Sequence, residues 1–147
     1  MEIKVLPDKF DEFDAKNRML AGMLDRQRLA KLHMIYDFIP SIKCDRKCHK
    51  CCGAHLWFPV EALNIRKFLF EHDIEERHAK NLLAMCPYIE DDGCLIHPVR
   101  PILCRLFGVV KQDKHSIADM ECPFAPKPEN MLTEEQAHEL ISEVELL

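Results

Sequence analysis

Apolar residues recur with a helical repeat along the first quarter of the chain. Between about residues 10 and 38, Met19, Leu20, Met23, Leu24, Ala30, Met34, Ile35 and Phe38 follow one another at helical spacing, which predicts an amphipathic helix whose Met and Leu stripe faces a core. Gly22 weakens such a helix only slightly, and Pro40 ends it. A second helix is expected to open at Pro59 or Val60, with proline in its first turn, and to run to about Glu71 through Ala62, Leu63, Phe68 and Leu69. A third is expected over roughly Glu75 to Met85. The last, about 134–146, has the clearest start: Thr133 followed by Gln136 forms a capping box, and Leu140, Ile141 and Val144 continue the apolar face. Turn residues over Asp91 to Pro101, and a short FGVV run within Phe107 to Ile117, predict loops and one small hairpin. The three prolines of CPFAPKPEN predict an extended connector into the last helix. The fold expected is mainly α with irregular loops, one small hairpin and a cysteine-rich metal-binding core, in a single domain over 1–147.

Length and charge narrow the classes open to such a chain. Its 147 residues suffice for one domain with a real core, so a metal need not supply the whole fold. With 20 Lys and Arg against 25 Asp and Glu, it lacks the basic footprint of a nucleic-acid binder, and no such partner is expected. The longest apolar runs are interrupted by Asp37 and Pro59, well short of the roughly 20 residues of a membrane span. The opening MEIKVLPDKF has no basic stretch followed by an apolar one, so a cytoplasmic location is expected.

Eight cysteines change the picture. Cys44, Cys48, Cys51 and Cys52 fall in the stretch CDRKCHKCCG, and Cys86, Cys94, Cys104 and Cys122 follow, each flanked by turn or charged residues. A disulfide framework needs an oxidising compartment, and adjacent Cys51 and Cys52 suit a bridge poorly. Single buried thiols are common as small hydrophobes, which is an even alternative for Cys86 alone but a poor one for the cluster. Metal ligation is the strong reading. Three of the four glycines, Gly53, Gly93 and Gly108, lie beside cysteine segments, where tight turns let backbone approach a bound group. Lys43, Arg46, Lys47, Lys50, Arg100 and Arg105 all lie within a few residues of a cysteine. Such cations would offset the negative charge of a thiolate centre and depress thiol pKa values.

The order Cys44-x3-Cys48-x2-Cys51-Cys52-Gly53, then Cys86-Pro87, then Gly93-Cys94-x-Ile96-His97-x2-Arg100-Pro101-x2-Cys104-Arg105-x-Phe107, then Cys122-Pro123, resembles the YkgJ-like cysteine-cluster family of zinc- or iron-chelating domains. The likeness covers about residues 44–123. It implies a metal-binding role for Cys44, Cys48, Cys51, Cys52, Cys86, Cys94 and Cys104, with Cys122 as an eighth, and places His97, Arg100 and Arg105 beside the ligands. Some relatives look like parts of larger proteins that methylate flagellin lysines, in which the cysteine region resembles an iron-sulfur module.

Zinc and iron-sulfur ligation both suit an all-thiolate site. Structural zinc usually recruits pairs such as Cys-x2-Cys twice, and Cys48-x2-Cys51 is the only clean pair at that spacing, whereas tight cysteine runs are more typical of iron-sulfur clusters. The expected cofactor is a zinc or iron ion, with an iron-sulfur cluster as the alternative. Cys44-x3-Cys48-x2-Cys51 also has the spacing of the radical S-adenosylmethionine motif. Lys50, however, stands where that family usually has an aromatic residue, and a helix and Pro40 precede the motif in place of a barrel strand. No phosphate loop, dinucleotide fingerprint or nucleophile elbow is present, and the eight histidines are dispersed, His49 and His55 lying nearest the cluster. The chain is read as a metal-binding protein, with no catalytic residue assigned, and its partners as the metal ion and a protein client or partner enzyme.

Overall fold

A computed structural model describes residues 7–44, 48–49, 51–53, 57–81, 84–112, 120–123 and 125–147, with the side chains of the first helix described from Asp14 onward. Among these residues, four helices and one two-stranded hairpin follow in the order α1 (Pro7–Asp37), α2 (Pro59–Glu71), β1 (Ile89–Glu90), β2 (Gly93–Cys94), α3 (Ile102–Leu106) and α4 (Glu134–Glu145), with a 3-10 turn at His97–Val99 between β2 and α3. The mainly α fold with one small hairpin is as the pattern predicts.

The main core gathers Leu29, Leu32, Ile35, Tyr36 and Ile39 from the end of α1, Val60 of α2, Ile102 and Leu106 of α3, Val109 and Val110, and Ala137 and Val144 of α4. Each Leu, Ile or Val among them removed from water is worth roughly 1.5–3 kcal/mol. A second, smaller core forms around Ile65 and Leu69 of α2 with Tyr88 and Ile96, and Trp57, Cys86 and Cys94 pack against it. Helix α2 therefore joins the two cores, the second of which backs the cysteine segments. At the far side, α4 opens with the predicted capping box, Gln136 N donating to Thr133 Oγ1 at 3.1 Å and Thr133 N to Gln136 Oε1 at 2.9 Å. Arg28 Nε donates to the Leu147 carbonyl and ties the chain end to α1.

Three expectations change. Of the α1 stripe, only Ile35 is buried; Met19, Leu20, Met23, Leu24, Met34 and Phe38 are exposed. The buried face is the opposite one, and no described side chain from Asp14 to Arg28 is buried. The helix expected over Glu75–Met85 is absent among the described residues there. Helix α2 ends in a Schellman turn, with Asp73 at φ 53°, Ile74 N donating to Leu69 O at 2.9 Å and Asp73 N to Phe70 O at 3.4 Å. That turn sends Ile74 into the smaller core and reverses the chain. Finally, of the two segments expected to supply loops and a hairpin, the one opening at Asp91 carries it, at Ile89–Cys94, and FGVV forms no strand beyond a single bridge from Val110 to Leu132.

Candidate metal centre

The chain brings its cysteines together from separated segments. Cys44, Cys48, Cys51 and Cys52 lie on the run after α1, Cys86 just before the hairpin, Cys94 on β2, Cys104 in the middle of α3 and Cys122 on the segment leading to α4. None is in a disulfide, and all eight line one cavity of about 890 Å³. Backbone contacts fix the wall. Cys86 N donates to Cys52 O at 3.2 Å, joining the first cysteine run to the hairpin segment, and β1 pairs with β2 so that Ile89 stands opposite Cys94. Cys52 N donates to His49 O at 3.0 Å. Gly108, at φ +83°, lets the chain pass so close to the Cys122 segment that a Cβ there would lie 2.9 Å from Cys122 Cβ. Gly108 N donates to Met120 O at 2.7 Å and completes that junction.

Within the wall, Cys51, Cys52, Cys86, Cys94 and Cys104 feel one another's charge. A bond to the Cys52 thiol draws Cys51 down to about 6, helped by Arg100, while Cys52 is pushed up, first by sharing that proton with Cys51 and then by burial. Burial is the main force raising Cys86, Cys94 and Cys104, and repulsion from neighbouring thiols adds to it. Arg100 pulls in the expected direction on Cys51, Cys94 and Cys104, but it is the smallest influence on Cys51, and at Cys94 and Cys104 expulsion from water outweighs it. Arg46, Lys47, Lys50 and His55 lie outside the described residues.

Arg100 and Arg105 take different parts. Arg100 acts on Cys51, Cys94 and Cys104, and its Nη1 lies 3.0 Å from Nε2 of His97. Arg105 is committed elsewhere. Its Nε donates to Arg100 O at 2.8 Å, its Nη2 to Pro98 O at 3.0 Å, and its guanidinium lies 3.9 Å over the Tyr36 ring. His49 Nδ1 lies 3.9 Å from Cys52 Sγ.

Behind Arg105 stands a carboxyl that the sequence pattern does not flag. Glu61 is fully buried; its Oε2 accepts from Tyr36 Oη and from Ile102 N, both at 2.5 Å, and its Oε1 from Phe58 N at 3.4 Å. It thereby anchors the first turn of α3, the helix that carries Cys104, to α1 and α2. Burial lifts the Glu61 carboxyl above its ordinary range against the pull of those three donors, and burial and Glu61 together raise Tyr36. The available signal was the position of Glu61 on the buried face of α2, four residues before Ile65.

Among the described residues, no three His, Cys, Asp or Glu side chains are grouped so as to hold an ion as they stand. The donor chemistry fits a thiophilic ion, since thiolates are ligands of choice for zinc and for iron in sulfur coordination. A cation would also counter the burial and mutual repulsion that raise the thiols of Cys86, Cys94 and Cys104.

A small helical protein with a cavity walled by eight reduced thiols is the class that the fold and site define. The segment 43–123 matches the family model CxxCxxCC, described as "Putative zinc- or iron-chelating domain", and the chain belongs to that family. No curated protein and no solved structure matches the chain. No described helix is long and apolar enough to cross a membrane.

Proposed function

We propose that the protein holds zinc or iron through thiolates of the cavity wall, with Cys51, Cys52, Cys86, Cys94 and Cys104 as the central ligand set and Cys44, Cys48 and Cys122 at its margin. One observation carries this reading: cysteines from five segments of the chain face a single cavity, and five of them are close enough to repel one another. A core without a bound cation gains nothing from crowding half-buried thiols whose ionised forms repel one another, whereas a divalent ion turns the same crowding into affinity. Arg100 sits beside the ligands with His97 and tempers their charge, and Arg105 holds the 98–100 loop in place. The eight thiols work only if kept reduced, which supports a reducing compartment such as the cytoplasm as the place where the protein acts. The ion is either a resident centre or cargo for a protein client.

A second reading is supported by the size of the cavity. About 890 Å³ is the volume of a small-molecule pocket and far more than one tetrahedral ion fills. Eight thiols in that space suffice for an iron-sulfur cluster serving a partner enzyme. Elemental analysis with acid-labile sulfide on protein purified without air separates the two. Zinc or iron without sulfide supports chelation, iron with matching sulfide supports the redox module, and protein that takes up neither metal overturns both.

A further inference from the structure

Helix α1 is apolar on two sides. Its inner side, Leu29, Leu32, Ile35, Tyr36 and Ile39, is buried in the main core. Its outer side carries Met19, Met23, Gln27, Ala30 and Met34, with Phe38 just past the helix end, and all six are exposed. The large apolar members keep 45–72% of their surface in water. At 100° per residue these six positions fall within about a third of the helix circumference, and they run for about 28 Å. A surface helix that leaves such a stripe open is missing a neighbour.

The spacing of the stripe says which neighbour fits. From Met19 to Phe38 the intervals are 4, 4, 3, 4 and 4 residues, the same from either end. A two-fold axis passing level with the Arg28–Leu29 bond would therefore lay the stripe on a reversed copy of itself. Met19 would meet Phe38 of the second copy, Met23 would meet Met34, and Gln27 would meet Ala30, each contact being made twice. That is the self-complementary surface an isologous dimer requires. Leu20 and Asp37, also exposed, lie on the same third of the helix, and the register sets Leu20 of one copy level with Asp37 of the other. The Asp37 carboxylate then falls one helical turn from the exposed Lys16 of the other copy, within reach of its ammonium. An in-register parallel pair would set Lys16 against Lys16 and align the two helix dipoles. The inner face of α1 already holds the body of each copy, so the two bodies would lie on opposite sides of the helix pair.

We infer that the outer face of α1 is the interface of an antiparallel homodimer, centred between residues 28 and 29. The interface is independent of the thiol chemistry, because none of its side chains lines the cysteine cavity.

The experiment is sedimentation equilibrium of the full chain at tens of micromolar, with Met23→Lys, Met34→Glu and an equimolar mixture of the two. Wild type is expected at twice the chain mass and each single variant at the chain mass. In the mixture the introduced lysine faces the introduced glutamate, while the second pair of positions keeps its two native methionines, so the mass is expected to double again. Circular dichroism and bound metal should match wild type in both variants, since neither side chain touches the core. A monomeric wild type, as when the stripe serves a different protein or a membrane surface, overturns the inference. A variant that stays dimeric, or a mixture that stays monomeric, overturns it equally.

Discussion

Glu61 and the cysteine wall are both driven out of water, and they answer that expulsion in opposite ways. The Glu61 carboxyl finds three donors from three parts of the chain, so its burial is complete without anything from outside. The thiols of Cys86, Cys94 and Cys104 are pushed up by burial and pushed further by one another. One region is satisfied by the chain alone, and the other waits for a cation. The helical core around Tyr36, Ile102 and Val144 should therefore stand without metal, and the wall from Cys51 to Cys104 should not.

The test with the largest expected effect is metal removal. Structural zinc sites in small peptides contribute on the order of 10 kcal/mol, and a chelator should remove the wall's share of that as a drop in melting temperature. The loss should be local. Helical circular dichroism should persist in metal-free protein while limited proteolysis opens the segments around Cys52 and Cys86. Helical signal that vanishes together with the metal would show the two regions to be one cooperative unit.

The converse variant is Glu61→Ala, which leaves Tyr36 Oη and Ile102 N buried without a partner. Breaking such a network costs about 3–5 kcal/mol. At temperatures where the variant remains folded, the number of bound metal ions should be unchanged. Loss of stoichiometry in folded Glu61→Ala would mean that α3 cannot present Cys104 without its anchor. Smaller again is Gly108→Ala. The positive φ and the 2.9 Å approach to Cys122 Cβ should together cost about 1–3 kcal/mol in thermal stability. The unfolding midpoint checks it, and a neutral result would show that the Cys122 segment yields freely.

What could be read from the sequence follows the same division. Helix ends with local chemistry were legible: Pro59 in the first turn of α2, and Thr133 with Gln136 at the start of α4. The residues of the wall were legible as a set, since eight cysteines in that order have no use as packing. Their grouping was not, because it depends on the Cys86–Cys52 backbone bond and on α3, a five-residue helix too short to leave a repeat. The orientation of α1 was not legible either. A helix with apolar residues on both sides gives no periodic signal as to which side the core will take, and the Met and Leu side was the wrong one. The turn after α2 hid in Asp73, a residue other than glycine in a left-handed conformation.

The smallest expected effect is on the pH dependence of stability, and it probes the satisfied region directly. A carboxyl whose folded pKa lies above its ordinary 4.5 binds its proton more tightly in the folded chain. Its contribution is fully present below the unfolded value and is lost as pH rises through the folded one. Glu61→Gln carries no such term, because the amide does not titrate. In metal-free protein, where the thiols bring no ion into the balance, the melting-temperature advantage of wild type over Glu61→Gln should shrink as pH rises from mildly acidic to neutral. An advantage that grew over that range would mean that Tyr36, Ile102 and Phe58 hold Glu61 as a carboxylate more strongly than burial opposes it. The helical core would then rest on a buried carboxylate, a charge satisfied by its own donors, where the thiols of Cys86, Cys94 and Cys104 are pushed toward their neutral form.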